Sequence, residues 1–167
     1  MDLVIRLAAP ADAGALAAVL LPVFRAGETY TIDPAITPEA ALAYWCAAEK
    51  TVFVAEALGT ILGSYYIRPN QHGGGAHVCN CGFVTAAAAH GQGVARAMLD
   101  HALATATAMS YRAMQFNFVV ANNHRAIDIW QRAGFEIVGR LPGAFHHPRD
   151  GYVDALVMWK DLPGAMR

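Results

Sequence analysis

Apolar and polar positions alternate from Leu3 to Leu7, the two-residue period of a short strand. Pro10 and Asp12 then stand where a helix begins, and an alanine-rich run carries it to about Leu20. Arg25 to Ile36 is polar and proline-interrupted, the character of a loop lying over another part of the fold. Thr37, Pro38 and Glu39 read as an N-cap, a first-turn proline and a dipole-matched acid, opening a helix to about Glu49. Thr51 to Ala57 and Thr60 to Arg68 are rich in Val, Ile, Tyr and Phe around Leu58-Gly59, which predicts a hairpin. After a break at Asn70 to Gly75, His77 to Thr85 is a strand, and it leads through Gly91 and Gly93 into a helix. On that helix Val94, Met98, Leu99, Ala102, Leu103 and Ala106 share one side. Ala113 to Val120 is another strand, and Asn122 to Ala133 a helix stopped by Gly134. Phe135 to Gly139 and Tyr152 to Lys160 are the last two strands, joined by a loop that contains LPGAFHHPRDG. The order is strand, two helices, three strands, helix, strand, helix, two strands. Hairpins make the early pairing antiparallel, and the crossover through the helix after Gly93 makes a parallel pair in the middle. The expected architecture is α/β: a mixed sheet of about seven strands with helices on both faces.

With 167 residues and no linker-like tract, one domain spanning 1–167 is expected. Twelve basic residues against 13 acidic ones leave a formal net charge of −1, so no electrostatic footprint for nucleic acid or an anionic membrane is expected. The positive mean hydropathy of +0.31 comes largely from alanine, and no run approaches the roughly 18 to 20 apolar residues of a membrane span. The opening MDLVIR has neither a basic region nor a long apolar one, so no secretion signal is expected. Three cysteines without framework spacing suit a reducing cytosol, and the expected location is cytoplasmic.

The chemistry concentrates where the strand ending at Thr85 passes through a glycine-bearing turn into a helix. Such a turn exposes main-chain N–H groups at the positive end of a helix dipole, and small residues let an anion come close. A Walker A loop needs Lys and then Ser or Thr after its last glycine, whereas Val94 and Ala95 follow Gly93. A dinucleotide fingerprint needs a third small residue where Arg96 stands, and an acid about 20 positions later, and has neither. What remains is His90-Gly91-Gln92-Gly93-Val94-Ala95, which fits [Q/R]-x-x-G-x-[G/A]. A second segment, from Asn123 through Ala126, Trp130 and Gly134 to Phe135, fits N-x-x-A-x-x-x-Y-x-x-x-G-F.

With these two motifs on these elements, the chain resembles the GNAT superfamily of N-acetyltransferases over nearly its whole length. The resemblance implies a GNAT-like fold and acetyl transfer from acetyl-CoA to a primary amine, by direct attack in a ternary complex. It implies that N–H groups from Gly91, Gln92, Gly93, Val94, Ala95 and Arg96, with His90, hold the coenzyme A pyrophosphate. It implies that the backbone of Phe83, Val84 and Thr85, splayed from its neighbour, pairs with pantetheine like an added strand, and that an amide at Val84 serves as oxyanion donor. Asn123, with Asn122, would bind the pantetheine side near Ala126 and Trp130, and helix capping is compatible with that role. Homodimers are common in the superfamily. No metal is expected.

Two positions depart from the pattern. His90 replaces the usual Arg or Gln, in a cradle that is mostly main chain. Trp130 stands where many relatives have a tyrosine that protonates the departing thiolate, and an indole N–H donates without serving as an acid. A thiol of pKa near 8.5 is already a tolerable leaving group. Tyr152, Tyr65 and Tyr66 are the candidate substitutes. On the amine side, deprotonating a lysine-like amine at pH 7 costs roughly 4.6 kcal/mol, against about 1 to 1.4 kcal/mol for an α-amino group. Glu28 and Asp154 are the candidate bases, with a solvated surface carboxylate the alternative for each.

Arg25, Glu28 and Tyr30 in the first long loop, and His146, His147 and Arg149 in the last, are candidate walls of the acceptor pocket. Their mixed charge suits amino acids, small amines, antibiotics or a protein N-terminus, so the acceptor is a small-molecule or peptide amine. His77, Cys79 and Cys81 alternate on one strand, but they lack a fourth ligand and the usual knuckle spacing, so buried small hydrophobes are the expected reading. The rival functions are a catalytically impaired acyl-CoA-binding protein, motivated by Trp130, and a regulatory protein on the same fold.

Overall fold

The computed structural model describes residues 2–164. Its strands are β1 (Val4–Leu7), β2 (Thr51–Ala57), β3 (Thr60–Pro69), β4 (Val78–Thr85), β5 (Ala113–Val120), β6 (Glu136–His147) and β7 (Gly151–Asp161). The helices are α1 (Ala13–Ala26), α2 (Pro38–Trp45), α3 (Val94–Ala108) and α4 (His124–Arg132). The expected seven-stranded mixed sheet is present, in the order β1-β2-β3-β4-β5-β7-β6. β4 and β5 are its parallel pair, and every other neighbour pairing is antiparallel.

Two cores sandwich the sheet. On one face, α3 and α4 cover Phe53, Tyr65, Cys79, Cys81, Met114 and Phe116. On the other, α1 and α2 bury Phe24 and Trp45 against Val54, Tyr66 and Val84. Alternation assigns the faces: Cys79 and Cys81 point toward α3, whereas Asn80, Gly82 and Val84 point toward α1 and α2. Both cysteines are free and buried, and His77 is exposed just before the strand.

Three boundaries differ from expectation. α1 continues through Pro22 to Ala26 and ends at Gly27, whose φ of 64° closes the helix in the left-handed region, so Arg25 belongs to a helix and not a loop. α2 stops at Trp45, four residues early, once Trp45 is buried and its indole N–H donates to Ser64 Oγ. The stretch after Gly139 is strand rather than loop: β6 pairs with β7 as far as His147↔Gly151, with irregularities between Ile137 and Gly139 and between Leu141 and Phe145. Those two breaks disguise a long strand in the sequence, because each resets the alternation. Among the described residues, no helix is long and apolar enough to cross a membrane.

Candidate active site

β4 and β5 pair only at Val78↔Ala113 and Cys79↔Met114, and beyond that they diverge. The Asn80 side-chain amide bridges the base of the opening by donating to Gln115 O at 3.0 Å. Strand parity decides which β4 groups face the gap. Asn70 N–H donates to Val78 O, and Ala86 N–H to Leu62 O, so even-numbered β4 residues turn their backbone groups to β3. His77 O accepts from Arg112 N–H, so odd-numbered residues face β5. The N–H groups of Phe83 and Thr85 therefore point into the gap, and that of Val84 does not. The Val84 amide, expected as the oxyanion donor, thus faces β3 and not the gap.

Gly82 has a specific packing reason. A Cβ there would lie 2.5 Å from Tyr66 Cε1, so the Tyr66 ring lies flush against the opened stretch of β4. Tyr30 reaches the same edge from the segment after α1, and its hydroxyl donates to Phe83 O at 2.9 Å. Burial raises the Tyr30 pKa well above the ordinary tyrosine value, as do the neighbouring Tyr66 and Tyr44, so the phenol keeps its proton. Burial likewise raises Tyr65 and Tyr66. Tyr65 Oη lies 2.5 Å from His101 Nδ1 on the α3 side, and burial lowers the His101 pKa.

The chain leaves β4 through a short 3-10 turn (Ala87–Ala89) and enters α3 at Gly93, which has φ 80° and no side-chain cap. Gly91 is also left-handed, and neither glycine's absent Cβ would meet another atom within 4 Å. Among the described residues, the N–H groups of Gly91, Gly93, Val94, Ala95 and Arg96 make no hydrogen bond, whereas that of Gln92 donates to Ala89 O. The Gln92 side chain donates to Ala88 O and fixes the turn, while the exposed His90 donates its backbone N–H to Ala87 O and its ring has no partner among the described residues. The Arg96 side chain points outward toward Asp100. These open donors at a helix start suit a phosphate, as the resemblance implied.

Trp130 is 8% exposed and spans the gap on the α4 side, 5.1 Å from Phe83 and 5.0 Å from Phe116 between ring centres. Its indole N–H has no partner among the described residues. Asn123 caps α4 by accepting from Ala126 N–H. Asn122 instead donates to Asp150, tying the end of β5 to the β6–β7 turn.

Above the opening lies a cavity of about 320 Å³, lined by Glu28, Thr29, Asn122, Asn123, His124, His147, Arg149 and Asp150. Arg149 pairs with the Glu28 carboxylate and so closes one side of it. His147 is 4% exposed, and its Nδ1 accepts the N–H groups of Arg149 and Asp150, which leaves the ring proton on Nε2. The structure thus brings together Glu28, His147, Arg149, Asn122 and Asn123 but not every predicted wall residue. Arg25 is exposed on α1, and His146 and Tyr152 stack on each other at 4.7 Å on the outer hairpin, where Tyr152 is 77% exposed. Asp154, the other candidate base, is held by Gly143 N–H and by Arg140, contacts that lower its pKa. Sequence reasoning missed the turn-organising role of His147 and the lining residue Asp150, because the β6–β7 hairpin reads as a loop, and it singled out Glu28 but not the adjacent Thr29. A larger cavity of about 690 Å³, between the end of α3 and β7, lies away from this site.

The model of the acetyltransferase (GNAT) family matches residues 21–135, more than half of the chain. The chain belongs to the GNAT family. This GNAT chain is 32% identical to the N-acetyltransferase aca1 of Schizosaccharomyces pombe over 110 residues, 62% of the chain and 50% of that protein. The match thus spans about half the length of that curated relative. A GCN5-related N-acetyltransferase from Kribbella flavida superposes with a TM-score of 0.91 at 42% identity, covering 96% of this chain and 98% of the other. The fold also matches yncA from Salmonella typhimurium, a putative acetyltransferase solved with its cofactor acetyl-CoA (TM-score 0.86, 19% identity, 100% and 98% coverage). The β6–β7 hairpin that supplies His147, Arg149 and Asp150 lies outside the family match.

Proposed function

We propose that this GNAT chain is an N-acetyltransferase that takes acetyl-CoA as co-substrate and acetylates a primary amine of a small molecule or peptide by direct attack in a ternary complex. The observation that carries this reading is the opened β4 edge continuing into an uncapped, glycine-lined helix start. The donors of Gly91 and Gly93 to Arg96 suit the pyrophosphate, and the outward groups of Phe83 and Thr85 suit the pantetheine amides. Acetyl-CoA supplies a thioester whose acyl carbon accepts the amine nitrogen as the carbon–sulfur bond breaks.

The Phe83 or Thr85 N–H would donate to the carbonyl oxygen as negative charge builds on it, a role worth about 2.7–4 kcal/mol when such a donor is removed elsewhere. Tyr30 holds the intervening carbonyl and so fixes the strand's angle. The Glu28 carboxylate, at the rim of the 320 Å³ cavity, is the group available to take the proton from the amine, provided that its pairing with Arg149 opens. Trp130 supplies a packed wall and no acid, so the thiolate leaves unaided or with a proton from water.

Titration calorimetry with acetyl-CoA tests the first half: the wild type binds, and Gly93→Trp does not. Absent binding, or binding unchanged by Gly93→Trp, overturns the assignment. Thiol release across an amine panel tests the second half. Binding without turnover on any amine would instead support the impaired binding protein that the indole at position 130 favours.

A further inference from the structure

Aromatic rings close the α4 side of the opening between β4 and β5. Trp130 of α4 lies 5.1 Å from Phe83 of β4 and 5.0 Å from Phe116 of β5, and those two are 6.1 Å apart, all between ring centres. Such separations are contact distances for aromatic pairs, so the rings bridge the diverging strands. Each flanking ring is backed in turn. Phe135 stacks on Phe116 at 4.4 Å, and Tyr65 stacks on Phe83 at 5.4 Å with Phe53 behind it at 4.9 Å. Tyr65 is itself tied to α3 through His101 Nδ1. Trp130 and Phe116 are both buried, so neither ring can swing out into solvent without unpacking its neighbours.

The stereochemistry of the transfer decides what meets this wall. Attack on a thioester makes the acyl carbon tetrahedral, and three of its four bonds already have directions. The oxygen points to the outward N–H of Phe83 or Thr85 on β4. The sulfur points back along the pantetheine arm toward the glycine-lined start of α3. The nitrogen arrives from the cavity beside Glu28. The fourth bond carries the rest of the acyl group, and it is left to point away from β4, across the opening toward Phe116 and Trp130. The base of the opening is barred to it, because the Asn80 amide crosses there to Gln115 O.

We propose that Trp130 sets the length of the acyl group, admitting acetyl and excluding longer chains. This ceiling rests on the transfer reaction proposed above and narrows its donor. The methyl of an acetyl group ends at the wall, whereas each further methylene has to enter space that the indole fills. A packed site yields to extra methylenes only by forcing side chains off their rotamers or shifting backbone. Phe83 and Phe116 have little freedom to make that room, since Tyr65 and Phe135 hold them from behind. Trp130 is the ring that touches both, so shortening it opens the wall at its middle while the flanking stacks remain.

The test is a series of acetyl-, propionyl- and butyryl-CoA, read by thiol release with the amine panel. For the wild type, kcat/KM should fall about 10- to 200-fold from acetyl- to propionyl-CoA, the range for one methylene at a packed pocket, and further for butyryl-CoA. Trp130→Leu and Trp130→Ala should flatten the series, bringing butyryl-CoA to within about tenfold of acetyl-CoA. Trp130→Phe, the mildest truncation, should give an intermediate slope and serves where the smaller residues prevent folding. A wild type that handles butyryl-CoA as well as acetyl-CoA, or a length preference that survives all three substitutions, overturns the proposal. Should no amine give turnover, calorimetry makes the same comparison on binding alone. An acetyl preference in binding that the Trp130 variants abolish then leaves the ceiling standing and sinks the enzyme reading instead, and binding indifferent to chain length overturns the ceiling too.

Discussion

Gly82→Ala isolates the contact that shapes the opened edge of β4. A Cβ at position 82 would lie 2.5, 2.8 and 2.9 Å from Tyr66 Cε1, Cζ and Oη. Comfortable carbon contacts are about 3.5–4.0 Å, so roughly 1 Å of displacement is required. The ring has little room to retreat, because Trp45 packs against it at 4.9 Å between centres and Lys50 Nζ sits 4.4 Å from its centre. Overpacking of a tight site costs about 1–3 kcal/mol. At about 2–4 °C per kcal/mol for a chain of this size, the melting temperature should fall by roughly 2–12 °C. If β4 yields instead of the ring, the outward donor of Phe83 shifts, and acetyl-CoA affinity falls with it. Thermal unfolding of Gly82→Ala, Tyr66→Leu and the double variant completes a cycle. The second substitution removes the clash, so the pair should couple by about 0.5–3 kcal/mol. A Gly82→Ala protein that melts within about 1 °C of wild type, or strict additivity in the cycle, would refute the packing argument.

Three further outcomes follow from single contacts. Tyr30→Phe deletes the hydroxyl that donates to Phe83 O, so stability should drop by about 0.5–1.5 kcal/mol and kcat/KM should fall, read by thermal melts and thiol release. Trp130→Tyr supplies a phenol in place of the indole, so turnover should be no lower than wild type despite some lost packing; a loss beyond about tenfold, or 1.4 kcal/mol, would show that the indole itself is used. Asp12 accepts from Arg6 Nη1 and Nη2 at 2.8 and 2.9 Å and from Ala9 N–H, contacts that lower its pKa to about 2 from 3.8. A depressed carboxylate contributes stability that is present above the unfolded value and lost as pH falls through the folded one. Asp12→Asn should therefore melt below wild type at neutral pH, and the gap should close between about pH 4 and pH 2.

Much of this protein is legible in its sequence because short-range physics writes it there. Alternation at Thr51 to Thr85 and helical spacing at Val94 to Ala106 yield the element order, and the order with one crossover implies a mixed sheet. The glycines at 91 and 93 mark the helix start that has nothing of its own to cap it, and Asn123 marks the next one. Where one strand turns twice, as β6 does between Ile137 and Phe145, the period is lost and the hairpin reads as a loop.

Residue identities could not decide which β4 amides face the gap, because parity is a property of pairing with β3, and that pairing turns Val84 inward and Phe83 and Thr85 outward. Nor could they reveal that Glu28 meets Arg149 across 121 positions, or that Tyr30 holds a carbonyl 53 positions away. Arg68 is the sharpest case. In the sequence it is one more residue at a strand end, and only the packed sheet leaves its Nε buried without a hydrogen-bond partner among the described residues. Local sequence sets what each segment becomes; the sites depend on contacts between distant segments, whose energies exist only once the sheet has closed.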